Sequence, residues 1–121
     1  MQFDVERTTL STYTCLRVTG ELDLATTPQL GAAAEKALAE PVHSLVIDLT
    51  PTTFLDSTGA RELTRLSRRA LRAGIPLRVV CPRDNPAVRL VIDLLELHTV
   101  VPVVESLPPD GTAWHPGDDG P

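Results

Sequence analysis

The amino-acid sequence predicts an α/β protein: a single domain with a mixed β-sheet of about five strands, an N-terminal antiparallel hairpin, and helices packed on the sheet. Two nearly continuous apolar runs, at residues 44–49 and 75–81, are typical of parallel strands buried on both faces. A segment with helical periodicity separates the two runs, as a crossover between parallel strands requires. The chain has 121 residues, which fits one domain.

The first two strands form the hairpin. Residues 2–7 alternate between apolar and polar side chains, which predicts a half-exposed strand. A short polar link leads to a second strand at residues 13–19, with Leu16 and Val18 on one face, and Gly20 ends it. Because the link is too short for a crossover, the two strands are expected to be antiparallel.

A loop at residues 21–24 leads to the first helix. Thr26 or Thr27 is expected to cap this helix, with Pro28 in its first turn. Helical spacing of apolar residues continues to about Ala39.

The second helix follows the strand at residues 44–49 and a turn at Pro51. It is predicted at about residues 57–73, and Gly74 is a suitable stop after it. Its apolar stripe consists of Ala60, Leu63, Leu66 and Ala70.

A third helix and a last strand complete the domain. The helix is expected to begin at Asp84 or Asn85, directly before Pro86. Residues 100–104 form a short strand, and Pro102 within it indicates a sheet edge because proline cannot donate a backbone hydrogen bond.

The composition changes near residue 106. Residues 2–106 are therefore assigned to the domain, and residues 107–121, rich in Pro, Gly and Asp, to a flexible tail that buries too little apolar surface to fold. Trp114 in this tail is either an exposed anchor for a partner or a side chain packed on the surface.

Charge and composition exclude several classes of function. The net charge is −5 and no basic cluster with interleaved aromatic residues is present, which argues against nucleic-acid binding. No apolar run is long enough for a membrane span and no signal peptide is recognisable, so a cytoplasmic protein is expected. Neither a metal site nor a cofactor loop is indicated by residue spacing. Cys15 and Cys81 are expected to be buried, reduced thiols.

Three features together carry a resemblance to a known family. Residues 18–23, Val-Thr-Gly-Glu-Leu-Asp, precede the first helix, and residues 46–49, Val-Ile-Asp-Leu, lead into residues 54–59, Phe-Leu-Asp-Ser-Thr-Gly. The helix and strand between residues 86 and 104 are the third feature. Over roughly residues 2–106 the chain resembles the STAS domain of bacterial anti-sigma factor antagonists.

The resemblance implies a partner switch in the regulation of transcription, as in stress responses or sporulation. An anti-sigma factor with serine-kinase activity would bind the unphosphorylated protein, which frees a sigma factor, and would release it after phosphorylating Ser57. A metal-dependent phosphatase of the PP2C type would reset the switch. The loop around Asp23 would contribute to the kinase-binding surface. The resemblance implies a protein that is not an enzyme and is a monomer or weak dimer.

Elementary chemistry supports this role for Ser57. A helix N-terminus carries a partial positive charge and tolerates a phosphate, so phosphorylation need not unfold the domain. The added charge, about −1.5 to −2, opposes burial in an interface. Asp56 would add repulsion, and Gly59 would let a partner backbone approach closely.

Other interpretations of the same residues remain open. Ser57 is alternatively a plain helix cap, and Asp23 a solvated loop acid. Thr58 is a structural cap or a second phosphoacceptor. Asp48, at the end of a buried strand, is expected to bind loop amides.

The sequence departs from the family directly after Gly59, where Leu, a small residue and another apolar residue are usual and Ala60-Arg61-Glu62 stands instead. Arg61 lies one helical turn from Ser57 and would pair with its phosphate, form a rim for the partner, or belong to a solvated basic face. Arg61, Arg65, Arg68 and Arg72 share one helical stripe. The predicted partner-binding residues are Asp23, Asp56, Ser57, Thr58, Gly59 and Arg61.

Other functions fit less well. A serine hydrolase needs Gly-x-Ser-x-Gly and a positioned histidine, and Ser57 lacks the first glycine. The alternative that remains is a STAS-type sensor or scaffold that binds a ligand or like domains without phosphorylation.

Overall fold

The computed structural model describes residues 2–107. The first half of this part contains strands β1 (Asp4–Thr9) and β2 (Thr14–Leu22), helix α1 (Thr27–Leu38), and strands β3 (Leu45–Asp48) and β4 (Thr52–Leu55). The second half contains helix α2 (Ser57–Arg72), strand β5 (Leu77–Val80), helix α3 (Pro86–Leu94), a 3-10 turn (Leu97–Thr99) and strand β6 (Val103–Val104). The predicted tail, including Trp114, lies outside the described residues except for Leu107.

The strands form one mixed sheet, which confirms the predicted fold class. Its order is β1-β2-β3-β5-β6, with β4 paired to the far end of β2. The β1–β2 hairpin is antiparallel and the other strand pairs are parallel. The position of β6 at an edge agrees with the edge predicted from Pro102.

Strand β2 extends beyond its predicted end. Gly20 was expected to end this strand, but β2 continues to Leu22, so the predicted loop at residues 21–24 begins two residues later. Gly20 adopts a φ of +99° and the pairing register shifts after it. A glycine accommodates this irregularity because it has no Cβ to clash.

Strand β4 was not predicted, because only a turn at Pro51 was expected between the strand at residues 44–49 and the second helix. It pairs with the extension of β2, which makes six strands in the described part rather than about five. The Asn85 side chain holds the preceding turn by donating hydrogen bonds to the carbonyl oxygens of Leu49 (3.2 Å) and Thr52 (2.8 Å). These long-range contacts leave no local pattern in the sequence.

Strand β1 begins and ends two residues later than predicted, and β6 is shorter than residues 100–104. Helices α1 and α2 end within about one residue of their predicted bounds. Gly74 follows α2 with a φ of +72°, as expected for a helix stop.

The helices cover one face of the sheet and bury the main core. The apolar stripe predicted for α2 is fully part of it, together with Leu16 and Val18 of β2. A smaller cluster on the opposite face contains Tyr13, Cys15, Val46 and Val80. Cys15 and Cys81 are both buried and not disulfide-bonded, as predicted.

Candidate functional site

The ends of β2 and β4 bring two distant parts of the sequence together. Leu22 and Leu55 are paired in register, and the Asp56 N–H donates to the Leu22 carbonyl oxygen at 3.4 Å. Asp23 and Asp56 each follow directly after one of these paired leucines. Two of the three features that carried the family resemblance therefore meet at one edge of the sheet, where α1 and α2 begin.

Asp56 is the N-cap of α2. Its backbone is extended, and its carboxylate accepts a hydrogen bond from the Gly59 N–H at 2.9 Å. The expectation that the hydroxyl of Ser57 or Thr58 caps this helix is therefore wrong. The carboxylate one residue earlier occupies the capping position, where it also offsets the positive end of the helix dipole.

Ser57 is the first residue of α2, and its side chain is exposed. Its hydroxyl has no hydrogen-bond partner among the described residues. Thr58 is half-buried and lines a groove between α1 and α2. Of the two hydroxyls, that of Ser57 is the more open to the active site of another protein.

Gly59 is buried at the point where α2 crosses the end of β2. A Cβ at this residue would lie 2.6 Å from the Leu22 carbonyl oxygen and 2.6 Å from Leu55 Cδ1. The close backbone approach expected for Gly59 is therefore to the protein's own strand, because these atoms fill the space that a partner would need.

The loop that contains Asp23 is ordered by its own hydrogen bonds. The Asp23 carboxylate accepts from the N–H groups of Ala25 (3.0 Å) and Thr26 (3.2 Å). The Thr26 hydroxyl accepts from the Asp23 N–H and donates to the Glu21 carbonyl oxygen. Asp23 is thus a loop-ordering residue as well as a half-exposed acid, and Thr26 precedes α1 without capping it through its side chain.

Asp48, at the end of β3, makes a similar contact with the loop that follows it. Its carboxylate accepts hydrogen bonds from the N–H and the hydroxyl of Thr50. The expectation that Asp48 binds a loop amide is confirmed.

Two exposed apolar side chains near these acids were not singled out from the sequence. Leu24, directly after Asp23, is 74% exposed, and Phe54, two residues before Asp56, is 44% exposed. Aromatic side chains such as Phe54 are enriched in protein interfaces, and Leu24 adds further apolar area. The available signal was an apolar residue placed in a turn rather than in a periodic stripe.

Arg61 is exposed on α2, one turn after Ser57. Arg65 follows on the same face and pairs with Glu62 at 2.7 Å and with Glu35 of α1 at 3.4 Å. The hydrogen bond to Glu62 raises the pKa of Arg65, so this side chain stays charged. The pair with Glu35 connects α1 to α2, whereas the pair with Glu62 lies within α2.

Groups of side chains suited to other chemistry are not found in the described residues. No cluster of His, Cys, Asp or Glu there is arranged to hold a metal ion. Burial raises the pKa of the Cys15 thiol to about 12 and also raises that of Cys81, so neither is a reactive thiolate near neutral pH. None of the helices in residues 2–107 is long and apolar enough to cross a membrane.

Comparisons with known proteins agree with this geometry. The family model described as "STAS domain" matches residues 4–108. No curated protein matches the chain.

Solved structures extend the comparison. An anti-sigma factor antagonist from Mycobacterium paratuberculosis is 27% identical, with a TM-score of 0.79 and 88% of each chain covered. The anti-sigma factor antagonist SpoIIAA in its unphosphorylated form is 23% identical, with a TM-score of 0.65 over 88% of this chain and 89% of that one. The Bacillus cell fate determinant SpoIIAA in the phosphorylated form is 20% identical, with a TM-score of 0.62 over 88% and 92%. At these identities, the two SpoIIAA structures show the fold alone.

Proposed function

Because the chain belongs to the STAS domain family, we propose that it is an anti-sigma factor antagonist switched by phosphorylation of Ser57. In its unphosphorylated form it binds an anti-sigma factor with serine-kinase activity, and a sigma factor is released. The observation that carries this proposal is the exposed hydroxyl of Ser57 at the start of α2, beside the ordered Asp23 loop. The similarity to the mycobacterial anti-sigma factor antagonist supports the same role.

The surface around Ser57 suits a protein partner. Leu24 and Phe54 supply exposed apolar area, and hydrogen bonds to the Asp23 carboxylate order its loop. A preordered loop binds more tightly because less conformational entropy is lost in the complex. We place the centre of the anti-sigma factor interface on these residues, with Arg61 at its side.

Phosphorylation acts on this surface without unfolding the domain. The positive end of the α2 dipole stabilises a phosphate on Ser57. The same phosphate adds about −1.5 to −2 charge beside the Asp56 carboxylate. Burying that charge in an interface costs several kcal/mol unless the partner supplies a cation, so affinity falls by orders of magnitude.

Resetting the switch requires removal of the phosphate by another protein. The exposure of Ser57 leaves a phosphate there accessible to a metal-dependent phosphatase of the PP2C type. In this scheme the protein is a substrate of both enzymes.

The test is to incubate the protein with ATP and each kinase-like anti-sigma factor encoded in its genome, and to locate phosphate by mass spectrometry. We expect one of these kinases to modify Ser57 and to bind the unmodified protein. Ser57→Ala should bind without being modified, and Ser57→Asp should bind at least 10-fold more weakly. Thr58→Ala should still be modified at Ser57, which excludes Thr58 as the phosphoacceptor. The proposal fails if no kinase modifies Ser57, or if Ser57→Asp binds as tightly as the wild type.

A further inference from the structure

Four arginines of α2 form a continuous basic surface, which we call the arginine face: Arg61, Arg65, Arg68 and Arg72. Their spacing of four, three and four residues places them on one side of the helix, over a length of roughly 16 Å. Together with Thr27 of α1, Thr58, Glu62 and Thr64, they line an open groove with a volume of about 680 Å³. The groove begins beside the site around Ser57 and runs toward the end of α2.

Three of the four arginines are available to a partner. Arg65 is held by Glu62 and Glu35. Arg69, on the adjacent side of α2, pairs with the other carboxylate oxygen of Glu35 at 3.2 Å. Arg61, Arg68 and Arg72 are exposed and form no ion pair within the described residues.

The charge of the arginine face is opposite to that of the whole chain, which is −5. A diffuse attraction to nucleic acid or to an anionic membrane is therefore disfavoured, because the remaining surface repels both. The face also lacks the aromatic side chains on which bases stack. Its chemistry fits carboxylates, which planar guanidinium groups bind with two parallel hydrogen bonds.

We propose that the arginine face binds an acidic segment of the anti-sigma factor and thereby selects this partner among related anti-sigma factors. This inference rests on the proposed function for the identity of the partner, but the carboxylate-binding groove itself does not. Thr58 and Arg61 belong both to the groove and to the surface around Ser57, so one partner can cover the two together. Rim charges of this kind act chiefly on association rate and on discrimination between partners.

The first experiment tests the groove without the anti-sigma factor. The probe is an octapeptide of alternating Glu and Ala, titrated into ¹⁵N-labelled protein at low salt, with the Gln-Ala octapeptide as control. We expect chemical-shift changes along residues 58–72 with the Glu peptide and none with the Gln peptide. Arg68→Gln/Arg72→Gln should weaken binding roughly 5- to 30-fold. The charge-matched variant Arg17→Gln/Arg83→Gln, altered outside the groove, should bind as the wild type does.

Three results of this titration would overturn the proposal. They are shift changes confined to residues that do not line the groove, equal binding by the two double variants, or tighter binding of a dT10 oligonucleotide than of the Glu peptide at the same salt.

The second experiment uses the anti-sigma factor identified through Ser57 phosphorylation. Arg68→Gln/Arg72→Gln should lower its affinity by a similar factor and should reduce the dependence of Kd on salt, while the charge-matched variant should do neither. Unchanged affinity and salt dependence would refute the role in partner selection even if the peptide binds. If no anti-sigma factor binds while the Glu peptide does, the proposed function fails and the groove stands.

Discussion

The carbonyl oxygen of Leu22 lies so close to Gly59 that a Cβ on this glycine would be only 2.6 Å from it. This contact joins the last residue of β2 to the first turn of α2. It therefore fixes the Asp23 loop relative to Ser57, and the two motifs of the sequence become one surface.

The contact predicts a strong effect of Gly59→Ala. The added Cβ meets a backbone oxygen and a buried leucine, and neither is the free end of a flexible side chain. We expect the free energy of unfolding to fall by about 1–3 kcal/mol in urea denaturation. Thr58→Ala, one residue away and half-buried, should change it by less. Equal stability of Gly59→Ala and wild type would show that α2 can shift away from β2.

Asp56 can be tested as a cap separately from its charge. Asp56→Ala removes the acceptor for the Gly59 N–H and should lower the free energy of unfolding by about 0.5–2 kcal/mol. Asp56→Asn keeps an acceptor and should lose much less. Thermal unfolding of both variants is the measurement, and a cap role is contradicted if Asn and Ala destabilise equally.

Asp23 allows the same separation of geometry from charge. Asp23→Asn retains an oxygen for the N–H groups of Ala25 and Thr26, whereas Asp23→Ala does not. We expect amide hydrogen exchange at Ala25 and Thr26 to accelerate in Asp23→Ala and to stay near the wild-type rate in Asp23→Asn. If anti-sigma factor affinity falls only in Asp23→Ala, the order of the loop determines binding. If Asp23→Asn also loses binding while its exchange rates stay near those of the wild type, the charge determines binding.

Phe54 is expected to be an anchor of the proposed interface. Phe54→Ala should weaken binding to the anti-sigma factor about 10-fold or more, since large aromatic side chains often dominate binding energy. Leu71→Ala is the control, because Leu71 is 78% exposed but lies at the other end of α2. Isothermal titration calorimetry measures the affinity of both variants for the anti-sigma factor. Equal affinities would show that Phe54 does not belong to the interface.

The buried thiol of Cys15 predicts that the free energy of unfolding decreases at alkaline pH. Burial raises the pKa of Cys15 from its ordinary value of 9.0 to about 12, so the folded protein holds this proton more tightly than the unfolded chain. Its contribution to stability is complete below pH 9 and is lost as the pH rises from 9 to about 12. At pH 8 a thiol reagent such as DTNB should react with both cysteines in urea and with neither in the native protein. Rapid reaction of the native protein would contradict the burial.

Much of the fold was predictable because its signals are local. The apolar runs that became β3 and β5 lack alternation because every residue of both strands is buried. The stripe of α2 identifies its buried side directly from spacing. The pairing of the Gly-Glu-Leu-Asp and Asp-Ser-Thr-Gly motifs was sufficient to indicate the family and to single out Ser57.

Other features depended on contacts between distant residues. Strand β4 and the extension of β2 beyond Gly20 stabilise each other by pairing, and neither segment alone has a strand pattern. The choice of Asp56 over two neighbouring hydroxyls as the cap depended on the backbone angle at which β4 enters α2. The sequence alone thus singled out the two motifs and their candidate residues. The tertiary structure decided what each residue does, because capping a helix, packing against a strand or being exposed depends on the residues that surround it.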